Sequence, residues 1–426
     1  MNSLNRIKGP KITEIRNVSL PKVHQFELSN GIPVFEVNGG VQDVVKIEIV
    51  FQAGRPFESK KMLSKATSYL IKEGSKNRTS AEIANDIDFY GATLRTSTNL
   101  DDTRIILYSL KKYLKIVASV VEDILMNAIF PQNELDNYIN NSIQNLNIDL
   151  SKDDFRAYRI LTENIFGPDH PYGYNSSETL YKGLDLNGIK GHYKRMIGAQ
   201  NCSVFLSGKI DQEVRDILEQ TCGKLVYRDK KEADMGDIQP GEKISHIYVK
   251  DSHQTSIKMG SKLFNRNHED YSTMFFLSTL LGGYFGSRLM TNLREEKGYT
   301  YSIYAGLDDF VYDGYFYISA DVGNDYVKDS IKEINKELMS LLEIPVAAEE
   351  IKMVRNYLMG SLLNMLDGPF NQSQVVRTLI TKQSPLDSFD RFAQDLLDMT
   401  SEKLQSAAQK YFNPDSMFTV LVGGGK

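Results

Sequence analysis

The chain alternates short period-two runs with longer stretches of helical period, and it does so twice. Residues 30–54, NGIPVFEVNGGVQDVVKIEIVFQAG, alternate apolar and polar side chains in two runs, which predicts two strands. KMLSKATSYLIKEGS follows, with Leu63, Ala66, Leu70 and Ile71 at helical spacing and Gly74 placed to accept a left-handed stop. Thr79 and Glu82 spell a capping box, in which hydroxyl and carboxylate satisfy each other's backbone amides; it opens a helix that buries Ile83 and Ile87 and ends near Gly91. ATLRTSTNLDDTRIILYSL predicts a strand pair. An amphipathic helix then carries Leu114, Val117, Val121, Ile124 and Leu125 until Pro131 breaks it, and QNELDNYINNSIQNLNIDL begins another.

The second half repeats this order. SIKMGSKL predicts a strand, EDYSTMFFLSTLLGG a helix with a glycine stop, and SRLMTNLREEKG a second helix ending at Gly298. YTYSIYAGL and GYFYISADV form a strand pair about Asp313-Gly314, and VKDSIKEINKELMSLLEI is a helix broken by Pro345 before AAEEIKMVRNYLMGSLLNML. Both halves close alike, YKRMIGAQNCSVFLSGKI matching AQKYFNPDSMFTVLVGGG as helix, turn and buried strand. RDKKEADMGDIQPGEK between them has linker composition. The expected organisation is a domain over residues 1–226, a linker over 227–245 and a duplicate domain over 246–426. Strands and helices are grouped rather than strictly alternating, so the fold class is α+β: two duplicated α/β domains, each a largely antiparallel sheet with helices packed on one face.

Composition narrows the function. The 426 residues carry a net charge of −5, which gives no basic footprint for nucleic acid. No run of about 18 apolar residues occurs, so no membrane helix is expected. The start, MNSLNRIKGPKITEIRNVSLP, has no signal-like apolar run, and a cytoplasmic location is the expectation. Two cysteines, Cys202 and Cys222, are too few for a disulfide framework or a multi-cysteine zinc site and are read as buried thiols. The six histidines, His24, His170, His192, His246, His253 and His268, include no pair three to five apart; His170 sits in a His-Pro turn with a structural reading, and His246 with His253 is a weak two-ligand candidate. No Gly-x-Ser-x-Gly elbow or phosphate loop is present, and the glycine-rich GGYFGS is a weak anion signal. LREEKGYTYS places Arg294 and Tyr301 seven positions apart across a glycine. Locally, Arg294 reads as a helix-end ion-pair partner and Tyr301 as a core aromatic.

Several stretches in order resemble the M16 (pitrilysin or insulinase-like) zinc peptidases, of the short two-domain kind that includes mitochondrial processing peptidase subunits: FQAGRPFE, EGSKNRTSAEI, HPYGYNSSETL, HYKRMIGAQNCSVFLSGKI and LLGGYFGSRLMTNLREEKGYTYSIYAG. The resemblance implies that the two domains form a half-shell and that an active member carries His-x-x-Glu-His on a helix, with a further glutamate some way on. Here the two histidine positions register with Lys65 and Tyr69 and the base position with Ser68, and no glutamate lies between Glu134 and Glu163, where one should fall near Gln144 to Asn147. The resemblance therefore implies no metal in this chain and zinc in a partner. Arg294 and Tyr301 match the second-domain pair that donates hydrogen bonds to substrate and to the developing oxyanion. The implied function is a metal-free subunit acting in trans with a homologous zinc-bearing subunit on an extended or unfolded peptide; the alternative is an inactive scaffold or peptide-binding subunit.

Overall fold

The structure, a computed structural model, describes Gly9, residues 15–229 and residues 231–425; part of the N-terminal stretch read above, and linker residue Lys230, lie outside the described residues. The first half runs β1 (His24–Glu27), β2 (Pro33–Asn38), β3 (Val44–Phe51), α1 (Leu63–Leu70), α2 (Ser80–Phe89), β4 (Thr93–Thr98), β5 (Thr103–Leu110), α3 (Leu114–Asn127), α4 (Gln132–Leu150), α5 (Asp153–Phe166), α6 (Glu178–Lys182), α7 (Leu186–Met196), β6 (Cys202–Gly208) and α8 (Gln212–Cys222). The second half runs β7 (Ile244–Tyr248), β8 (Gln254–Leu263), α9 (Tyr271–Ser278), β9 (Thr300–Asp309), β10 (Gly314–Gly323), α10 (Val327–Glu343), α11 (Ala348–Met365), α12 (Gly368–Thr381), α13 (Ser388–Leu397), α14 (Ser401–Tyr411) and β11 (Phe418–Gly423).

The sheets have strand orders β1-β2-β6-β3-β5-β4 and β7-β11-β8-β10-β9. Without β1 the two orders coincide position for position, which is the duplication read from the sequence. Among the described residues only β2–β6 and β7–β11 are parallel. The two strands predicted at residues 30–54 are not neighbours, because β6 inserts between β2 and β3.

Period two decides what each face of the central strands meets. In β3, Val45, Ile47, Ile49 and Phe51 join the core under the half's own helices. Lys46, Glu48 and Val50 point the other way, where Glu48 lies 3.0 Å from Arg377 Nε on α12. Phe35, Val37, Val50 and Phe205 of the first sheet pack with Val376, again on α12. The second sheet mirrors this: Ala157, Leu161, Ile165 and Phe166 of α5 pack on Phe418, Val420 and Val422 of β11, while Lys258 of β8 bonds Asp154 of α5. Each sheet thus carries its own helices on one face, as expected, and one helix from the other half on the second face.

The helix signals hold with local differences. The Thr79–Glu82 capping box is formed, and Gly91 and Gly298 take φ +60° and +65° as left-handed stops. Gly74 has φ +141°, and α1 ends four residues earlier, because Gly74 and Ser75 are drawn into bridges with Thr79 and Ala128. The helix predicted over SRLMTNLREEKG winds as a wide π turn over Met290–Glu296, with Lys297 N donating to Asn292 O at 3.1 Å. The linker is tied to the first half: Asp234 N donates to Pro56 O at 2.7 Å and Gly241 N to Asn164 O at 2.9 Å. Its last two positions, Ile244 and Ser245, already belong to β7. At the seam between halves Asp101, 5% exposed, accepts from Tyr172 Oη at 2.5 Å, Val311 N at 3.0 Å and Lys382 Nζ at 3.2 Å.

Candidate functional site

Two open hollows hold the residues singled out in the sequence. The first is a cleft of about 550 Å³ between α1, α4 and α6. Glu58 fixes the start of α1, accepting from Met62 N at 3.1 Å and Ser64 N at 2.7 Å, while Met62 is held at φ +76°. Lys65 and Tyr69, one turn apart, face out of α1 and line the cleft, and Gln144 and Asn145 of α4 line it opposite. The positions at which the resemblance places two histidines and a glutamate are thus brought together, with a lysine, a phenol and amides in place of ligands. Ser68 is buried at 3% exposure and does not line the cleft. Among the described residues no group of three or more His, Cys, Asp and Glu could hold a metal ion.

Tyrosines complete this cleft. Lys65 Nζ donates to Tyr181 Oη at 3.2 Å. Tyr69 packs against Tyr138 with ring centroids 4.8 Å apart, and Tyr138 meets Tyr181 edge-on at 6.1 Å. Tyr138 is 4% exposed and its hydroxyl has no hydrogen-bond partner. Burial pushes its phenol well above the ordinary range, Tyr181 adding to the shift and Ser142 opposing it from outside hydrogen-bonding geometry. Sequence reading did not pick out Tyr138 or Tyr181; the available signal was the amide-rich face of α4, Asn141, Gln144 and Asn145 beside Tyr138 at helical spacing.

The second hollow, about 410 Å³, contains both Arg294 and Tyr301. Tyr301 is 86% exposed, so it is not a core aromatic. Its position follows from a bulge in β9: the register to β10 shifts between Ala320 and Val322, leaving two residues, Tyr301 and Ser302, opposite Asp321. The Thr300 hydroxyl stabilises the bulge, donating to Asp321 O at 2.7 Å and accepting from Ser302 N at 3.1 Å. Arg294 leaves the π turn with its guanidinium 4.7 Å over the ring of Phe285, an exposed residue the sequence reading missed, and 3.6 Å from Glu295. A cation and a phenol facing one open hollow are suited to binding a carbonyl or a developing oxyanion.

His170, His246 and the two cysteines make contacts within the fold. His170 Nδ1 accepts from Tyr172 N at 3.1 Å, its ring stacks on Phe166, and burial lowers its pKa. His246 Nε2 lies 3.0 Å from Gly425 O. Cys202 and Cys222 are free, buried thiols, and burial pushes Cys222 up to about 12.

The two-sheet architecture is one shared by solved M16 proteins. A crystal structure of a peptidase M16 inactive domain from Pseudomonas fluorescens matches with TM-score 0.84 at 21% identity, covering 95% of this chain and 98% of that one. A protease structure from Helicobacter pylori matches with TM-score 0.85 at 17% identity, covering 95% of this chain and 100% of that one. The family model described as "Peptidase M16 inactive domain" matches residues 183–358, a span that holds Arg294 and Tyr301 but not α1. Among curated relatives, the uncharacterized zinc protease YmxG of Bacillus subtilis is 21% identical over 416 residues, covering 95% of this chain and 99% of that one. The non-peptidase homolog YmxG of Helicobacter pylori is 21% identical over 347 residues, 79% of each chain. The similarity to M16 proteins thus covers residues 183–358 in the family model and nearly the whole chain in the fold, and the sequence contains no His-x-x-Glu-His motif.

Proposed function

We propose that this chain is the metal-free member of a two-subunit M16 peptidase. A homologous partner supplies the zinc helix, and Arg294 and Tyr301 close over it to hold an extended peptide and to stabilise the oxyanion. One observation carries the reading: Tyr301, raised on the β9 bulge, shares an open hollow with Arg294 rather than packing in the core. The peptide pairs with β4, an outer strand against α1 whose free edge has no backbone partner among the described residues. Main-chain pairing of this kind requires an unfolded substrate and tolerates varied side chains. A reducing, cytoplasmic setting belongs to the proposal and accords with the two free thiols.

The test is turnover of a quenched unfolded peptide by this chain mixed with its zinc-motif paralogue. Arg294→Ala and Tyr301→Phe are each expected to lower kcat by about 100-fold, the size of losing one oxyanion donor, with assembly intact. Unchanged turnover would instead support the second reading, a scaffold or peptide-binding subunit without a catalytic contribution. The relative named a non-peptidase homolog favours that alternative.

A further inference from the structure

The residues that line the α1 cleft have a chemistry of their own. Among the described residues Lys65 Nζ has no carboxylate within ion-pair distance; its one hydrogen-bond partner there is the Tyr181 hydroxyl, which accepts and so keeps its own proton for a ligand. The Tyr138 hydroxyl is buried, lines the cleft and is unpartnered. The side chains of Asn141, Gln144 and Asn145 line the cleft without a hydrogen-bond partner among the described residues. The only acid on the wall, Asp149, is held by Lys152 at 2.8 Å, and the neighbouring cation Lys72 is held by Glu73 at 2.5 Å. An ammonium, three phenols and free amides, with the one acid already paired, form a donor-rich wall around the Lys65 ammonium.

We propose that this cleft binds a carboxylate of the peptide, with Lys65 as counter-ion and Tyr138 and Tyr181 as hydroxyl donors. The proposal rests on the peptide-binding reading above and adds to it the group that is recognised. Two sources offer the same chemistry, the C-terminal carboxylate and an Asp or Glu side chain, and the experiment separates them.

Binding of three unlabelled, N-terminally acetylated unfolded peptides to the full chain is measured by isothermal titration calorimetry. One has a free C-terminus and no acidic residue, one is C-terminally amidated, and one is amidated with a single internal Glu. At least one carboxylate peptide is expected to bind about 10-fold more tightly than the neutral amide, the scale of one charge-assisted hydrogen bond. Which of the two does so identifies the source. Lys65→Met should abolish the preference while leaving binding of the amide unchanged, Lys65→Arg should keep it, and Tyr138→Phe should reduce it. Equal affinity for all three peptides, or an equal loss for all in Lys65→Met, overturns the carboxylate assignment and leaves peptide binding standing. Failure of every peptide to bind overturns both.

Discussion

Asp101→Ala is the substitution whose cost the structure defines most completely. The carboxylate belongs to the turn between β4 and β5 and joins both halves. Its removal orphans the Tyr172 hydroxyl at 2.5 Å, the Val311 amide at 3.0 Å and the Lys382 ammonium at 3.2 Å. Tyr172 is 2% exposed and the Lys382 side chain 14%, so water replaces little of what is lost. Lys382 retains one acceptor, Asp309 O at 2.6 Å. A hydrogen bond to a charged group contributes about 1.5–3 kcal/mol, and leaving a buried charge unpaired costs about 3–5 kcal/mol. The three bonds share one carboxylate and do not add, so the expected loss is about 3–5 kcal/mol. With 23 tyrosines and no tryptophan, urea unfolding is read by tyrosine fluorescence beside far-ultraviolet circular dichroism. The dependence of stability on urea should also fall, because the halves no longer open together. A loss below about 0.5 kcal/mol with an unchanged urea slope would refute the role given to this carboxylate.

The buried His192 sets an acid limit: burial lowers its pKa to about 4 from 6.5, the Ala53 carbonyl opposing and Arg195 adding. The unfolded imidazole takes a proton that the folded one refuses, so this stability is fully present above about pH 6.5 and is lost as pH falls toward 4. His192→Gln should flatten that part of the stability profile by up to about 3 kcal/mol, measured by urea unfolding between pH 7 and 4; an unchanged profile would count against it. Thr300→Val removes the hydroxyl that holds the β9 bulge and should cost about 1–2 kcal/mol. In the reconstituted complex it should also lower kcat toward the level of Tyr301→Phe, and a stability loss with full turnover would show that the bulge does not aim Tyr301.

Local rules carried the reading of elements further than the reading of neighbours. Thr79 with Glu82, and the glycines at 91 and 298, act within one helical turn, so their spacing alone locates the ends they make. The insertion of β6 between β2 and β3 is set by pairings more than 150 residues apart, such as Val34 beside Val204, and alternation in residues 30–54 carries no record of the partner. Helix α5 escaped the sequence reading for the same reason: Leu161 and Ile165 are buried by β11, a strand that arrives more than 250 residues later. At the sites, the four-residue spacing of Lys65 and Tyr69 was legible because it fixes a helix face. The phenols of Tyr138 and Tyr181 come from two other helices; the amides beside Tyr138 mark only the face of α4, and nothing local marks Tyr181. The exposure of Tyr301 depends on a bulge opposite Asp321, a residue twenty positions on, and so required the sheet.

The helix that each half lends to the other has the form of a domain swap closed within one polypeptide. Two identical ancestral protomers exchanging a helix would make a symmetric dimer with the same pairings, α5 on the second sheet and α12 on the first. Joining them by residues 227–243 makes the exchange intramolecular and therefore independent of concentration. Neither half has a finished core alone, since each leaves one sheet face bare until the other delivers its helix. Joined copies need not remain alike, and the α1 cleft and the Arg294 hollow stand in the two halves with different chemistry.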